Sequence, residues 1–171
     1  MSTEQINKPS FATHDAAEAL QIAISYLGQK EEPAGSNGGP FVDKCLKLVG
    51  LGTGYYWCMA FVYRCFHEAG IVIPRTAGVM DCWRKASESS KILKKSTHHS
   101  AIKPGMIFIM DYGKGKGHTG IVESISVDDK GAVTLNTVEG NTDANGSRTG
   151  GMVCRQKRRW SDAKLIGFVS M

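Results

Sequence analysis

Apolar positions recur every three or four residues through the first half of the chain, and alternate or cluster in short runs through the second. Ala16, Leu20, Ala23 and Leu27 form one helical stripe. Asp15, with Glu18 three residues on, caps its start, and Gly28 stops it. Pro40 opens a second helix through Leu46 and Val49 to Gly50, because proline's fixed φ suits a first helical turn. Between these helices E-E-P-A-G-S-N-G-G reads as a loop, and L-G-T-G-Y-Y-W reads as another. Cys58, Phe61, Val62, Cys65, Phe66 and Ala69 then give the clearest helical period, ended by Gly70. The spacing predicts a shorter fourth helix over 77–85 and a polar surface connection over 87–103.

The period changes at Met106. Segments 106–111, 118–127 and 132–138 predict strands, and 152–156 and 165–170 predict weaker ones. Helices first and strands afterwards indicate an α+β domain with an antiparallel sheet. A nucleotide-binding βαβ unit is excluded, since the glycine run G-K-G-K-G at 113–117 has no helix after it. With 171 residues, one catalytic-sized domain is expected over 15–171, behind an N-terminal extension at 1–14. The composition, 42% apolar and 22% charged, excludes a disordered or fibrous chain. No apolar run approaches the ~18 residues a membrane span needs.

The start M-S-T-E-Q-I-N-K-P-S lacks a basic segment followed by an apolar one, so no secretory signal is expected. Synthesis in the cytoplasm follows, with a different exit route for any action outside. The net charge is +5, and Arg155, Lys157, Arg158 and Arg159 supply most of it. Such a strip fits an anionic partner, wall polymer or nucleic acid, or else the solvated face of a strand, the commoner meaning of a short charge run. The five cysteines, Cys45, Cys58, Cys65, Cys82 and Cys154, are odd in number and irregular in spacing, which is not a disulfide framework.

Cys58 stands apart because it falls at the predicted start of the third helix. There the unpaired N–H groups and the helix dipole favour a thiolate and can hold an oxyanion. The other four cysteines read as small core hydrophobes. A thiolate needs a base, and the base needs a group to orient it. His118 opens a strand, and D-D-K-G at 128–131 turns the chain back. With Val127 opposite Ala132, His118 falls opposite Asn141 and diagonal to Glu139 on one face, within reach of its carboxylate. A bulge in the turn would reverse that parity. His14, His67, His98 and His99 are placed less favourably and read as surface residues. No zinc-type ligand spacing exists, and the loop before Cys58 carries no carboxylate for calcium, so no metal and no cofactor are expected.

The segments G-Y-Y-W-C-M-A-F-V-Y-R-C-F-H-E-A-G, G-H-T-G-I-V-E and V-E-G-N-T, in that order, resemble the CHAP family. These are cysteine- and histidine-dependent amidohydrolases and peptidases of the NlpC-type, papain-like superfamily. S-N-G-G-P-F-V-D upstream and I-P-R-T-A downstream extend the likeness to about residues 15–170. The resemblance implies a papain-like fold with helices packed on an antiparallel sheet, a nucleophile at Cys58, a base at His118 and an orienting acid at Glu139. Asn141 is implied as a fourth polar member. Where the family often has Pro-Gly-Asp before the first strand, this chain has Pro104, Gly105 and Met106.

The implied substrate is an amide bond of the peptidoglycan peptide, cut by an amidase or endopeptidase. Tyr55, Tyr56 and Trp57 are candidates for one wall of the cleft, with core packing the alternative for Trp57. Tyr56 or Asn141 is the candidate second oxyanion donor. Without a signal, the expected context is either a phage endolysin released through a holin or an antibacterial toxin delivered by secretion machinery. A toxin would bring a cognate immunity protein as partner, and either enzyme would act in the periplasm or wall of a target or host bacterium. Two rival classes are a non-catalytic wall-binding or inhibitor module and a basic nucleic-acid-binding protein.

Overall fold

The structure, a computed structural model, describes residues 14–147 and 150–171. The expected N-terminal extension, apart from His14, and the capping side chain of Asp15 lie outside the described residues. Four helices come first: α1 (His14–Ser25), α2 (Pro40–Leu48), α3 (Cys58–Glu68) and α4 (Val79–Glu88). Six strands follow: β1 (Ile92–Lys94), β2 (Ile107–Gly113), β3 (Lys116–Val127), β4 (Val133–Thr142), β5 (Met152–Arg159) and β6 (Leu165–Val169). They make one sheet in the order β1-β6-β2-β3-β4-β5, every neighbouring pair antiparallel. This is the α+β arrangement expected from the change of period.

The segment read as a polar surface connection, 87–103, requires correction. It contains β1 and a short 3-10 turn, His99–Ala101. With only three residues, β1 is too short to show a period; it is held because Ile92 pairs with Val169 on β6. α4 also starts later than expected, at Val79, because Gly78 is extended and its N–H is taken by the Thr76 hydroxyl.

Apolar side chains leave both faces of the sheet. On one side α3 buries Met59, Phe61, Val62, Cys65 and Phe66 against Ile121 of β3 and Val138 of β4, with Ala19 and Ala23 of α1 joining the same core. On the other, Phe108, Met110, Val122, Leu135, Leu165 and Phe168 form a smaller cluster drawn from four adjacent strands. The two clusters clamp β3 and β4 between them, which is why polar residues at the ends of these strands can be held fully buried.

The hairpin between β3 and β4 departs from the expected register and then returns to it. Val127 pairs with Val133, not Ala132, because Asp128 widens the turn: its Oδ1 accepts from the N–H groups of Lys130 and Ala132. Ser124 still pairs with Asn136, but Val122 pairs with Thr137 and Ile121 with Val138. Glu123 is the extra residue of a bulge, and past it the offset equals the expected one. The parity at His118 is therefore restored by a second irregularity.

β4 approaches α3 with no side chain between them at Gly140. A Cβ there would lie 2.8 Å from Phe61 Cβ and 2.9 Å from Trp57 Cζ3. Replacing Gly140 with Ala is expected to destabilise the fold by about 1–3 kcal/mol through overpacking. A Tm lower by several degrees in a thermal melt checks this; an unchanged Tm contradicts the close approach.

Candidate active site

α3 begins where a glycine-containing loop meets a buried anchor. Trp57, the N-cap residue, has no exposed surface; its indole N–H donates to Glu31 Oε1 at 2.9 Å and its ring meets Phe41 edge-on. The expectation that Trp57 walls a cleft is thus corrected: it is core, and it fixes the residue that follows. Tyr55 and Tyr56 remain largely exposed, at 55% and 51%. Cys58 is the first residue of α3 and only 4% exposed. It opens onto a cleft of about 190 Å³ walled by Tyr56, by Gly78 and Val79 at the start of α4, and by residues 115–117 of the β2–β3 hairpin. A Cβ on Gly117 would lie 2.9 Å from Val79 Cβ, so glycine lets the hairpin close on α4.

His118 lies on β3 opposite Met110 and is fully buried. Its Nε2 donates to Glu139 Oε2 at 2.6 Å, while Nδ1 has no hydrogen-bond partner. Burial works against the charged ring, but the neighbouring Cys58 sulfur and the Glu139 carboxylate more than offset it and raise its pKa to about 9. With Nε2–H committed to Glu139, Nδ1 is the nitrogen left to exchange a proton with the sulfur.

Glu139 is also fully buried, on β4. Besides His118 it accepts from the Thr137 hydroxyl at 2.6 Å, and from Arg158 Nε at 2.9 Å and Nη2 at 2.5 Å. Burial alone would raise its pKa; Arg158 and then His118 pull it down to about 2. Room for the carboxylate comes from Gly120, where a Cβ would lie 2.6 Å from Glu139 Cγ.

Asn141 sits in a bulge between Glu139 and Thr142 with a left-handed backbone, φ 55°. With its amide oriented to satisfy both neighbours, Nδ2 donates to the Gly150 carbonyl at 2.9 Å and Oδ1 accepts from the Trp57 N–H at 3.2 Å. Asn141 therefore braces the residue before Cys58, with one of its two amide N–H groups given to the Gly150 carbonyl.

Arg158, Thr137 and Glu31 were not anticipated. Arg158 had been grouped with the basic strip, yet strand alternation divides that strip. Arg155, Lys157 and Arg159 are exposed, and Arg155 pairs with Glu123 at 2.9 Å, while Arg158 is only 12% exposed. Period-two spacing within 154–159 was the available signal. Burial raises the thiol pKa of Cys45 to about 11 and of Cys82 to about 12, and holds Cys65 well above its ordinary value. Among the described residues no group of three or more His, Cys, Asp or Glu is arranged to hold a metal ion, and no helix is long and apolar enough to cross a membrane.

The sequence model of the CHAP domain matches residues 50–141, more than half of the chain and a span that runs from before Tyr55 through Asn141. The chain belongs to the CHAP family. No curated protein and no solved structure matches it. CHAP domains are generally cysteine- and histidine-dependent amidohydrolases within the NlpC-type, papain-like superfamily, and the helices and antiparallel sheet seen here accord with that class. The CHAP match stops before β5, so Arg158 lies outside it.

The buried pair fixes a pH dependence of stability. The raised pKa of His118 means its contribution is complete below 6.5 and is lost as pH rises through about 9. The lowered pKa of Glu139 means its contribution is complete above 4.5 and is lost as pH falls through about 2. Melting curves from acid to alkaline pH are expected to show a plateau between these limits. A His118→Asn protein should lose the alkaline decline, and a decline identical to the parent's contradicts the assignment.

Proposed function

We propose that this CHAP domain, spanning residues 15–171, is a peptidoglycan hydrolase that cuts an amide bond of the wall peptide, as an amidase or endopeptidase. The observation that carries the reading is a continuous buried set, Cys58, His118 and Glu139, ending at a cleft. Cys58 is the nucleophile, His118 the base and Glu139 the orienting acid. His118 Nδ1 already holds the proton of Cys58 in an imidazolium–thiolate pair, and the sulfur attacks the amide carbonyl carbon. The oxyanion is held by the Cys58 N–H at the open end of α3 and by a second donor, Tyr56, which lines the cleft, or Asn141. The imidazolium proton passes to the leaving nitrogen as the C–N bond breaks, leaving a thioester. His118 then takes a proton from water, water attacks the thioester, and the C–S bond breaks to release a carboxylate and the sulfur.

Tyr56 presents aromatic surface in the cleft for the peptide, and Tyr55, its exposed neighbour in the chain, adds to it. The biological setting in this proposal is wall attack on a target or host bacterium, by a delivered toxin countered by an immunity protein or by a phage endolysin. The splitting of the basic strip weighs against a nucleic-acid-binding role.

The test is incubation of the protein with purified peptidoglycan sacculi, followed by amine detection and mass spectrometry of the fragments. New amines and fragment masses that name one amide bond are expected. Cys58→Ala should lower the rate by at least ~10³-fold, as removal of a nucleophile does, with Tm close to that of the parent. Absence of new amines from the parent, or their persistence in Cys58→Ala, rejects the hydrolase.

A further inference from the structure

We infer that Arg158 is a positioning residue of this site: its guanidinium clamps the Glu139 carboxylate in the plane that aims His118 at Cys58. The inference rests on the hydrolase reading for its kinetic consequence, but its structural content stands apart from it.

Each Glu139 oxygen has two donors. Oε1 receives Thr137 Oγ1 and Arg158 Nε, and Oε2 receives His118 Nε2 and Arg158 Nη2. A carboxylate has about four acceptor positions, so this set fills them. A forked guanidinium on both oxygens fixes the plane of the group as well as its place. Arg158 is itself tied down, since Nη1 donates to the Gly146 carbonyl at 3.1 Å. Thr137 alone holds one oxygen and leaves the plane free to rock about it. The direction of Nε2–H, and with it the line from Nδ1 toward the sulfur, follows from the clamp.

Charge balance gives the same assignment. An ionised cysteine, an imidazolium and a carboxylate enclosed together carry a net negative charge, and an uncompensated buried charge is costly. Arg158 brings the set to neutrality. It also keeps the carboxylate matched when the ring gives up its proton, so His118 can cycle without leaving a lone buried anion. The groups that bear on this set are Cys58 from α3, Glu139 from β4, Cys154 opposite Glu139 on β5, and Tyr112 and Asp162, which act on Arg158. Arg158 is absent from the walls of the cleft, so it acts through Glu139 and not on substrate.

The experiment compares Arg158→Gln and Arg158→Lys with the parent. ¹⁵N-histidine NMR follows the His118 ring in full-length protein with a Cys58→Ala background. Amine release from sacculi by the Cys58 forms gives kcat and KM. Arg158→Gln is expected to move the His118 titration up by about one unit or more, since a neighbouring charge is lost. It should also lower kcat on the order of 10–100-fold with KM little changed, as misaligned reacting groups do. Arg158→Lys keeps the charge without the fork: the titration should stay near the parent's, while the ring loses its single Nε2–H tautomer and kcat falls. A folded Arg158→Gln protein with unchanged titration and kcat overturns the inference. If that variant does not fold, parental kcat and tautomer in Arg158→Lys overturn it equally. Should the parent release no amine from sacculi, the hydrolase reading fails while the NMR comparison still decides the clamp.

Discussion

The bond between the His118 ring and the Glu139 carboxylate is the constraint around which the rest of the molecule is arranged. Both groups are wholly removed from solvent, where an unpaired charge is costly. A buried imidazole with only apolar neighbours would discard its charge, and a buried carboxylate would take up a proton. Here Arg158 and then His118 keep the carboxylate ionised, Cys58 and Glu139 keep the ring so, and the ring and carboxylate meet at 2.6 Å within a sheet packed on both faces. Much of the surrounding architecture can be understood as keeping that pair in place: Phe108 beside the ring, Gly120 making room for the Glu139 stem, and Thr137 capping one carboxylate oxygen.

The helical layer serves the same place from the other side. α3 delivers Cys58 at its first residue, and three contacts define where that residue lies: Glu31 on the Trp57 indole, Asn141 on the Trp57 N–H, and Gly140 beneath Phe61. None of these touches the sulfur. They secure the residue before it, so the start of a helix becomes a point fixed relative to two strands. Two of the three come from the end of β4 that also carries Glu139, so the acid and the helix start are referred to a common piece of backbone.

Much of this was legible in the residues. The period of α3 and the strand run of β3 are strong because their neighbours are buried and the pattern follows burial directly. That Cys58 would open a helix and that His118 would lie within reach of Glu139 could be read because helix starts and strand diagonals obey simple geometry. What was not legible has physical causes. β1 is too short for a period and exists only through pairing with β6. Trp57 could not be assigned from its type, since an aromatic residue beside a cysteine serves a wall or a core equally well; its partner Glu31 is 26 positions away. Asn141 is a left-handed residue within a bulge, where strand alternation no longer tells which way a side chain points. Arg158 was hidden in a run of like charges whose sum concealed the alternate directions of its members.

The widened turn at Asp128 and the bulge at Glu123 cancel one another, and their separation has an engineering consequence. Rungs such as Ser124 with Asn136 and Ile125 with Leu135 lie between the two irregularities and carry the shifted offset. Residues 128–132 are accordingly a poor place for a label or a graft: without the Asp128 bonds the tip can slip by one residue, and the Glu123 bulge then has nothing to offset.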